Sequence, residues 1–164
     1  MALSERLRNL LERNGVPYEV LPHREAFTAL EVANTSHVAG KLLAKPVVIR
    51  ESESRWYMAV VSAREHVDLA TIHRVTGRAK GRLATEEELR RLFPDCEMGV
   101  MLPIGALYGI VTYLDEGLRR NDDIYFQAGN HDEIVRMKFA DYEQLAGPFP
   151  GEFTLHREPS MVGG

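Results

Sequence analysis

Cysteine is nearly absent from this sequence: Cys96 stands alone among 164 residues. An internal disulfide is therefore excluded, and with it any clustered thiolate metal site. Long apolar runs are missing too. None approaches the roughly 20 residues a bilayer demands, so no membrane partner is expected. The opening Met1-Ala2-Leu3-Ser4-Glu5-Arg6 lacks the charged-then-apolar shape of a signal peptide, which leaves cytoplasm as the default location. Positive charge is not in surplus. The formal net charge of −4 argues against broad, salt-driven nucleic-acid binding and against a DNA partner. There is no Gly-x-Ser-x-Gly elbow, Walker loop, dinucleotide fingerprint or His-Glu-x-x-His pair. No catalytic triad, cofactor or metal is expected.

The lone thiol is a poor nucleophile candidate. It sits in Phe93-Pro94-Asp95-Cys96-Glu97, where two acidic neighbours disfavour a thiolate, and an inert, structural place suits it better. His66, Asp68 and His73 fall in no recognised ligand spacing. One local exception to the acidic balance runs between Arg64 and Arg82. There Arg64, Arg74, Arg78, Lys80 and Arg82 face only Glu65 and Asp68, which reads either as a solvated face or as a phosphate-tracking one.

What is present is the material of one globular domain, 45% hydrophobic and 27% charged. Leu3, Leu7, Leu10 and Leu11 share one face of a helix that Ser4 can cap and Asn14-Gly15 can end. Residues 18–21 alternate as a short strand. Thr28-Ala29-Leu30-Glu31 and Thr85-Glu86-Glu87-Glu88 are capping boxes, and Asp68 can cap a helix between them. Residues 47–50 and 56–61 are β-rich runs split by a polar loop, the pattern of a hairpin. Pro46 has no N–H, so that first strand starts there or lies at an edge. Residues 108–114, 124–127 and 133–139 read as further strands, with 115–117 and 121–123 as turns, and Asp141 can cap a last helix. The result is a mixed α/β (α+β) domain over residues 1–146. Residues 147–164, rich in glycine and proline, read as a mobile tail.

Three segments carry candidate chemistry. Ala44-Lys45-Pro46-Val47-Val48-Ile49 places a lysine at the mouth of a hydrophobic strand, either snorkelling at its end or aimed as a point charge into a cleft. Gly99-Val100-Met101-Leu102-Pro103-Ile104-Gly105 is either an ordinary helix-to-strand loop or one whose amides face a ligand. Glycine permits close backbone approach, and Pro103 stiffens the loop around a carbonyl or oxyanion. Ala128-Gly129-Asn130-His131 is a turn between two strands that presents an imidazole.

Together and in this order, the three segments resemble the YbaK-like aminoacyl-tRNA deacylases, relatives of the editing insert of bacterial prolyl-tRNA synthetases. The resemblance spans residues 18–145. It implies a curved mixed sheet of about six or seven strands flanked by helices. It also implies hydrolysis of the ester of a mischarged tRNA, with alanine or another small residue on proline tRNA as the substrate. Lys45, Gly99 and His131 become the candidate catalytic group. Lys45 would anchor the substrate near the ester and terminal adenosine, the Gly99 loop would orient the carbonyl, and His131 would serve selection or positioning. Pro103, Gly105, Gly129 and Asn130 shape the site around them. Tyr18, Phe27 and Met58 either line the amino-acid pocket or belong to the core. Ile104 stands where the family commonly has phenylalanine. The implied partners are the tRNA acceptor end carrying its amino acid and an aminoacyl-tRNA synthetase. The rival reading is a non-catalytic module that binds an aminoacyl or nucleotide ligand, or a synthetase.

Overall fold

The two β-rich runs around the polar loop do form a hairpin, and it is the centre of the molecule. In the computed structural model, which describes residues 4–24, 32–33 and 38–155, strand β2 is Leu43–Ser52 and β3 is Arg55–Ser62. They pair antiparallel from Ala44↔Ser62 to Ser52↔Arg55. Six further strands complete the sheet: β1 Tyr18–Pro22, β4 Arg82–Leu83, β5 Val111–Asp115, β6 Asp123–Gln127, β7 Glu133–Lys138 and β8 Phe149–Gly151. The order is β1-β7-β6-β2-β3-β5-β8, with β4 also paired to β2. The β6/β2, β3/β5 and β5/β8 pairs are parallel and the others antiparallel. This is a mixed α+β single domain with an open sheet.

Alternation along β3 sorts its buried side chains into two layers. Met58 and Val60 join the main core with Leu7, Leu11, Leu102, Phe126 and Tyr142. Tyr57, Ala59 and Val61 join Ile49, Ile72 and Phe153 on the opposite face. Burial on both faces explains why the run 57–61 is continuously apolar rather than alternating. Helices α1 Glu5–Arg13, α3 Glu86–Leu92, α4 Glu116–Arg119 and α5 Phe139–Ala146 attach to the main core, and α2 Leu69–Thr76 covers the other face.

Local signals hold where they are self-contained. Thr85 and Glu88 form the reciprocal capping box of α3, and the Asp68 carboxylate accepts the Ala70 N–H at the start of α2. The Thr28–Glu31 box lies outside the described residues. Elsewhere tertiary contacts decide. Ser4 does not cap α1; its hydroxyl donates to Asp95 at 2.7 Å instead. Helix α5 starts at Phe139, ahead of Asp141. The sequence 115–117 is not a plain turn but the start of α4, whose N-cap is Asp115.

Two differences concern strands. Pro46 does not start β2, and β2 is not an edge strand; the proline sits within a central strand. Leu42 and Val48 direct their carbonyls to Tyr125 and Ala84, so the even-numbered residues of this stretch turn their backbone away from β3. Pairing with β6 is recorded at Leu43 and Ala44, and pairing with β4 at Ile49 and Arg50. Among the described residues, Pro46 falls in the interval where one neighbour has ended and the next has not begun. There a missing N–H costs nothing. The segment after Gly147 also differs from expectation. Phe149–Gly151 pairs with β5, Phe153 is fully buried, and the Phe153 carbonyl accepts the Asp68 N–H at 2.8 Å. Residues 156–164 lie outside the described set.

Candidate functional site

Strand β6 and β2 run side by side in parallel, so the end of one fixes what stands beside the other. Register Ala44↔Phe126 places Lys45 at the level where β6 finishes and the 128–131 turn departs. Alternation puts the lysine side chain on the face of Leu43 and Ile49, opposite Ala44 and Val48 of the main core. Its Nζ donates to the Glu65 carbonyl at 2.7 Å, just beyond the end of β3. Burial lowers the Lys45 pKa from its ordinary value of 10.5, and the Glu65 charge opposes that fall. A half-buried ammonium held by one carbonyl is a fixed cation with donors to spare.

The glycine loop and the histidine turn are joined directly. Glu97 donates its N–H to the Gly129 carbonyl at 2.8 Å, and its Oε1 accepts the His131 N–H at 2.9 Å. Its own carbonyl accepts the Val100 N–H at 3.1 Å. From there the two ends of the loop behave differently. Gly99 is exposed at φ +80, and a Cβ built on it would meet nothing within 4 Å. Gly105 is sealed. Its N–H donates to Thr112 Oγ1 at 2.9 Å, and a Cβ there would lie 2.3 Å from the Ile110 carbonyl oxygen. Leu102 and Ile104 anchor the loop in the main core, and the Pro103 carbonyl accepts the Tyr142 hydroxyl at 2.6 Å. The Gly99 end is thus the exposed part of the loop.

Gly129 and Asn130 build the turn. Gly129 has φ +92 and packs against Ser4, whose N–H donates to Ala128. Buried Asn130 donates to Glu133 Oε1 at 2.9 Å and accepts the Asp132 N–H at 3.1 Å, which closes the turn on its own side chain. Asp95 ties the same corner down by accepting Ser4 Oγ and the Tyr108 hydroxyl. Cys96 lies beside it, and burial pushes its thiol up to about 11, out of nucleophile range.

Of the three candidate pocket residues, Phe27 lies outside the described residues. Met58 is fully buried in the main core, facing away from Lys45. Tyr18 pairs with Met137, four positions along β7 from Glu133, roughly 13 Å from the turn. It flanks a shallow depression with Glu19, Arg136 and Lys138. Glu97, the residue that joins loop to turn, carried no motif signal of its own. Among the described residues no group of three or more His, Cys, Asp or Glu could hold a metal ion. None of their helices is long and apolar enough to cross a membrane. In the basic stretch, Arg78 is taken up by Glu51 at 3.1 Å and Tyr113 at 2.9 Å, and Arg82 by Glu88.

Residues 23–145 match the family described as the aminoacyl-tRNA editing domain. The chain is 29% identical over 151 residues to the multifunctional Ser/Thr-tRNA deacylase ProXp-y of Escherichia coli K12, covering 88% of each chain. A crystal structure described as a candidate trans-editing enzyme for prolyl tRNA synthetase superposes with TM-score 0.78 at 25% identity, covering 93% of this chain and 97% of that one. The fold recurs in a hypothetical protein with TM-score 0.81 at 16% identity, covering 92% of this chain and 100% of the other.

Proposed function

The chain belongs to the aminoacyl-tRNA editing domain family, and from that membership we propose that it hydrolyses the ester of mischarged aminoacyl-tRNA in trans. Water adds to the ester carbonyl, the intermediate collapses, and the ribose hydroxyl leaves, giving free amino acid and tRNA. An aminoacyl ester is already activated, so positioning and preorganised electrostatics can supply most of the acceleration. The observation that carries the reading is the junction at Glu97. It fixes the open Gly99 end of the loop against the His131 turn, while β2 brings Lys45 to the level of that turn.

In this reading Lys45 exchanges its Glu65 carbonyl for the terminal nucleotide. The backbone at Gly99 faces the ester carbonyl, and the turn carrying His131 borders the amino acid. Small amino acids are the substrates, alanine, serine and threonine foremost. The E. coli relative's description as a Ser/Thr-tRNA deacylase and the prolyl context of the structural neighbour support this. Editing of this kind is needed because a synthetase pocket gains only about 1–3 kcal/mol of discrimination per methylene.

The test is a deacylation screen over Ala-, Ser-, Thr-, Cys- and Pro-charged tRNAs at enzyme far below substrate. Multiple turnovers on a small-residue ester support the hydrolase. Stoichiometric binding without turnover supports the binding module. Repeating the screen with prolyl-tRNA synthetase present asks whether a synthetase delivers the substrate.

A further inference from the structure

Strand β2 carries Lys45 near its start and Arg50 near its end. Five residues at about 3.3 Å each separate them by roughly 17 Å. The far end is rich in basic residues. Residues 50–56 and 74–82 together hold six basic and two acidic residues, in a chain whose total charge is −4. The fold brings these segments together: β4 pairs Arg82 with Arg50, and Glu51 accepts the Ala79 N–H at 2.8 Å. Gly81 allows this approach, because a Cβ there would lie 2.4 Å from the Arg50 carbonyl oxygen.

Two carboxylates in this region are neutralised from within, while exposed Glu53 enters no ion pair among the described residues. Glu51 is taken by Arg78 at 3.1 Å, and a single carboxylate, Glu88, is shared by Arg50 and Arg82 at 3.1 and 2.9 Å. Arg50 also lies over the Trp56 ring at 5.4 Å, so its charge is fixed in place. Arg55 and Lys80 are exposed, and neither enters an ion pair among the described residues. They flank two open clefts on either side of the hairpin. One of about 540 Å³ is lined by Arg50, Lys80 and Arg82 together with Glu51 and Glu53, and one of about 390 Å³ by Arg55, Trp56 and Arg78.

We infer that the tip of the β2–β3 hairpin, with Arg55 and Lys80 as its available cations, is the docking surface for phosphates of the tRNA acceptor stem. This rests on the deacylase reading, and the length of β2 supports it. Ser52, which pairs with Arg55 at the tip, lies seven residues and roughly 23 Å from Lys45. About four unpaired nucleotides stacked at about 3.4 Å each span roughly 14 Å, and about three further base pairs cover the rest. With the aminoacyl end beside Lys45, the first paired phosphates reach the basic surface. Net charge stays negative elsewhere, so binding is confined to this end and is not spread over the chain.

The test compares wild type with the Arg55→Glu/Lys80→Glu double variant on two esters. One is a full-length aminoacyl-tRNA, and the other is an aminoacylated CCA trinucleotide that lacks the stem. The preference in kcat/KM for full-length substrate should fall by about tenfold or more, and the slope of log KM against log salt should shrink by about 2 for two lost phosphate contacts. An unchanged preference and salt slope, with wild-type deacylation intact, overturns the docking surface and leaves the deacylase standing. An equal loss on both esters overturns it as well. If wild type cleaves neither ester, the deacylase reading fails. Anisotropy of labelled uncharged tRNA then decides the surface: weaker, less salt-dependent binding by the variant supports it, and equal binding refutes it.

Discussion

The Glu97 carboxylate accepts the His131 backbone N–H at 2.9 Å across 34 positions of sequence, and this one contact sets the distance between the glycine loop and the histidine turn. Charge-assisted hydrogen bonds of this kind contribute about 1.5–3 kcal/mol. Glu97→Ala should therefore lower kcat on the best mischarged tRNA by about tenfold while KM changes less. Glu97→Gln keeps an acceptor oxygen and should recover most of the rate. Steady-state kinetics on the two variants checks this; wild-type kcat in Glu97→Ala would remove Glu97 from any positioning role.

Lys45→Ala should damage function far more than folding. Its half-buried ammonium meets one backbone carbonyl at 2.7 Å, so stability should change by no more than about 1 kcal/mol. Loss of one charge-assisted contact should cut kcat/KM by roughly ten- to a hundredfold. Lys45→Arg should not restore it, since a planar fork does not replace a compact ammonium. A folded Lys45→Ala enzyme working at the wild-type rate would show that the cation is not used.

The two ends of the glycine loop should respond oppositely to alanine. At Gly105 a Cβ would lie 2.3 Å from a backbone oxygen, so Gly105→Ala should be destabilising by about 3 kcal/mol or more. At Gly99 there is open space but a positive φ, so Gly99→Ala should cost about 1–2 kcal/mol and remain folded. On the proposed function its deacylation should nonetheless fall, because the new methyl would stand where the ester carbonyl is held. Thermal melts alongside rates separate the two effects.

Acid should weaken the corner around α3 through Glu88. Hydrogen bonds from Arg82, and then from the Thr85 N–H, lower its pKa from 4.5 to about 2. A folded-state pKa below the unfolded one gives stability that is present above pH 4.5 and lost as pH falls toward about 2. The melting temperature of wild type should fall more steeply over that window than that of Glu88→Gln. Parallel curves would mean that Glu88 does not carry this dependence.

Phe153 tests the end of the described chain. It is fully buried, and Asp115 accepts its N–H at 3.2 Å. Phe153→Ala should cost about 3–5 kcal/mol, lowering the melting temperature by about 10 °C or more. Truncation after Gly147 should cost at least as much. A melt unchanged by either would make this segment a bystander.

These last residues also show where sequence stops being informative. The Thr85–Glu88 box and the Asp68 cap were legible because each signal is complete within four residues. Strand β8 was not, because Pro150 and Gly151 disfavour strands by composition and are tolerated only at an edge, which pairing with β5 supplies. The candidate site divides in the same way. Lys45, Gly99 and the turn at Gly129 are singled out by the family resemblance that their three segments carry together, since each alone also reads as an ordinary strand end, loop or turn. Glu97 looks like any surface acid until the fold brings His131 against it. Alternation told that Met58 is buried but not on which face of the sheet, and only pairing with Val48 places it opposite Lys45.

The change of neighbour along β2 has one more consequence. Where β6 gives way to β4, a few residues of β2 have no paired strand on that side among the described residues, and such an edge ordinarily invites a foreign strand to zip in. Pro46 occupies that interval and offers no donor, so an invading peptide cannot complete its ladder. The stretch of β2 beside Lys45 is thereby a poor template for self-association through added strands.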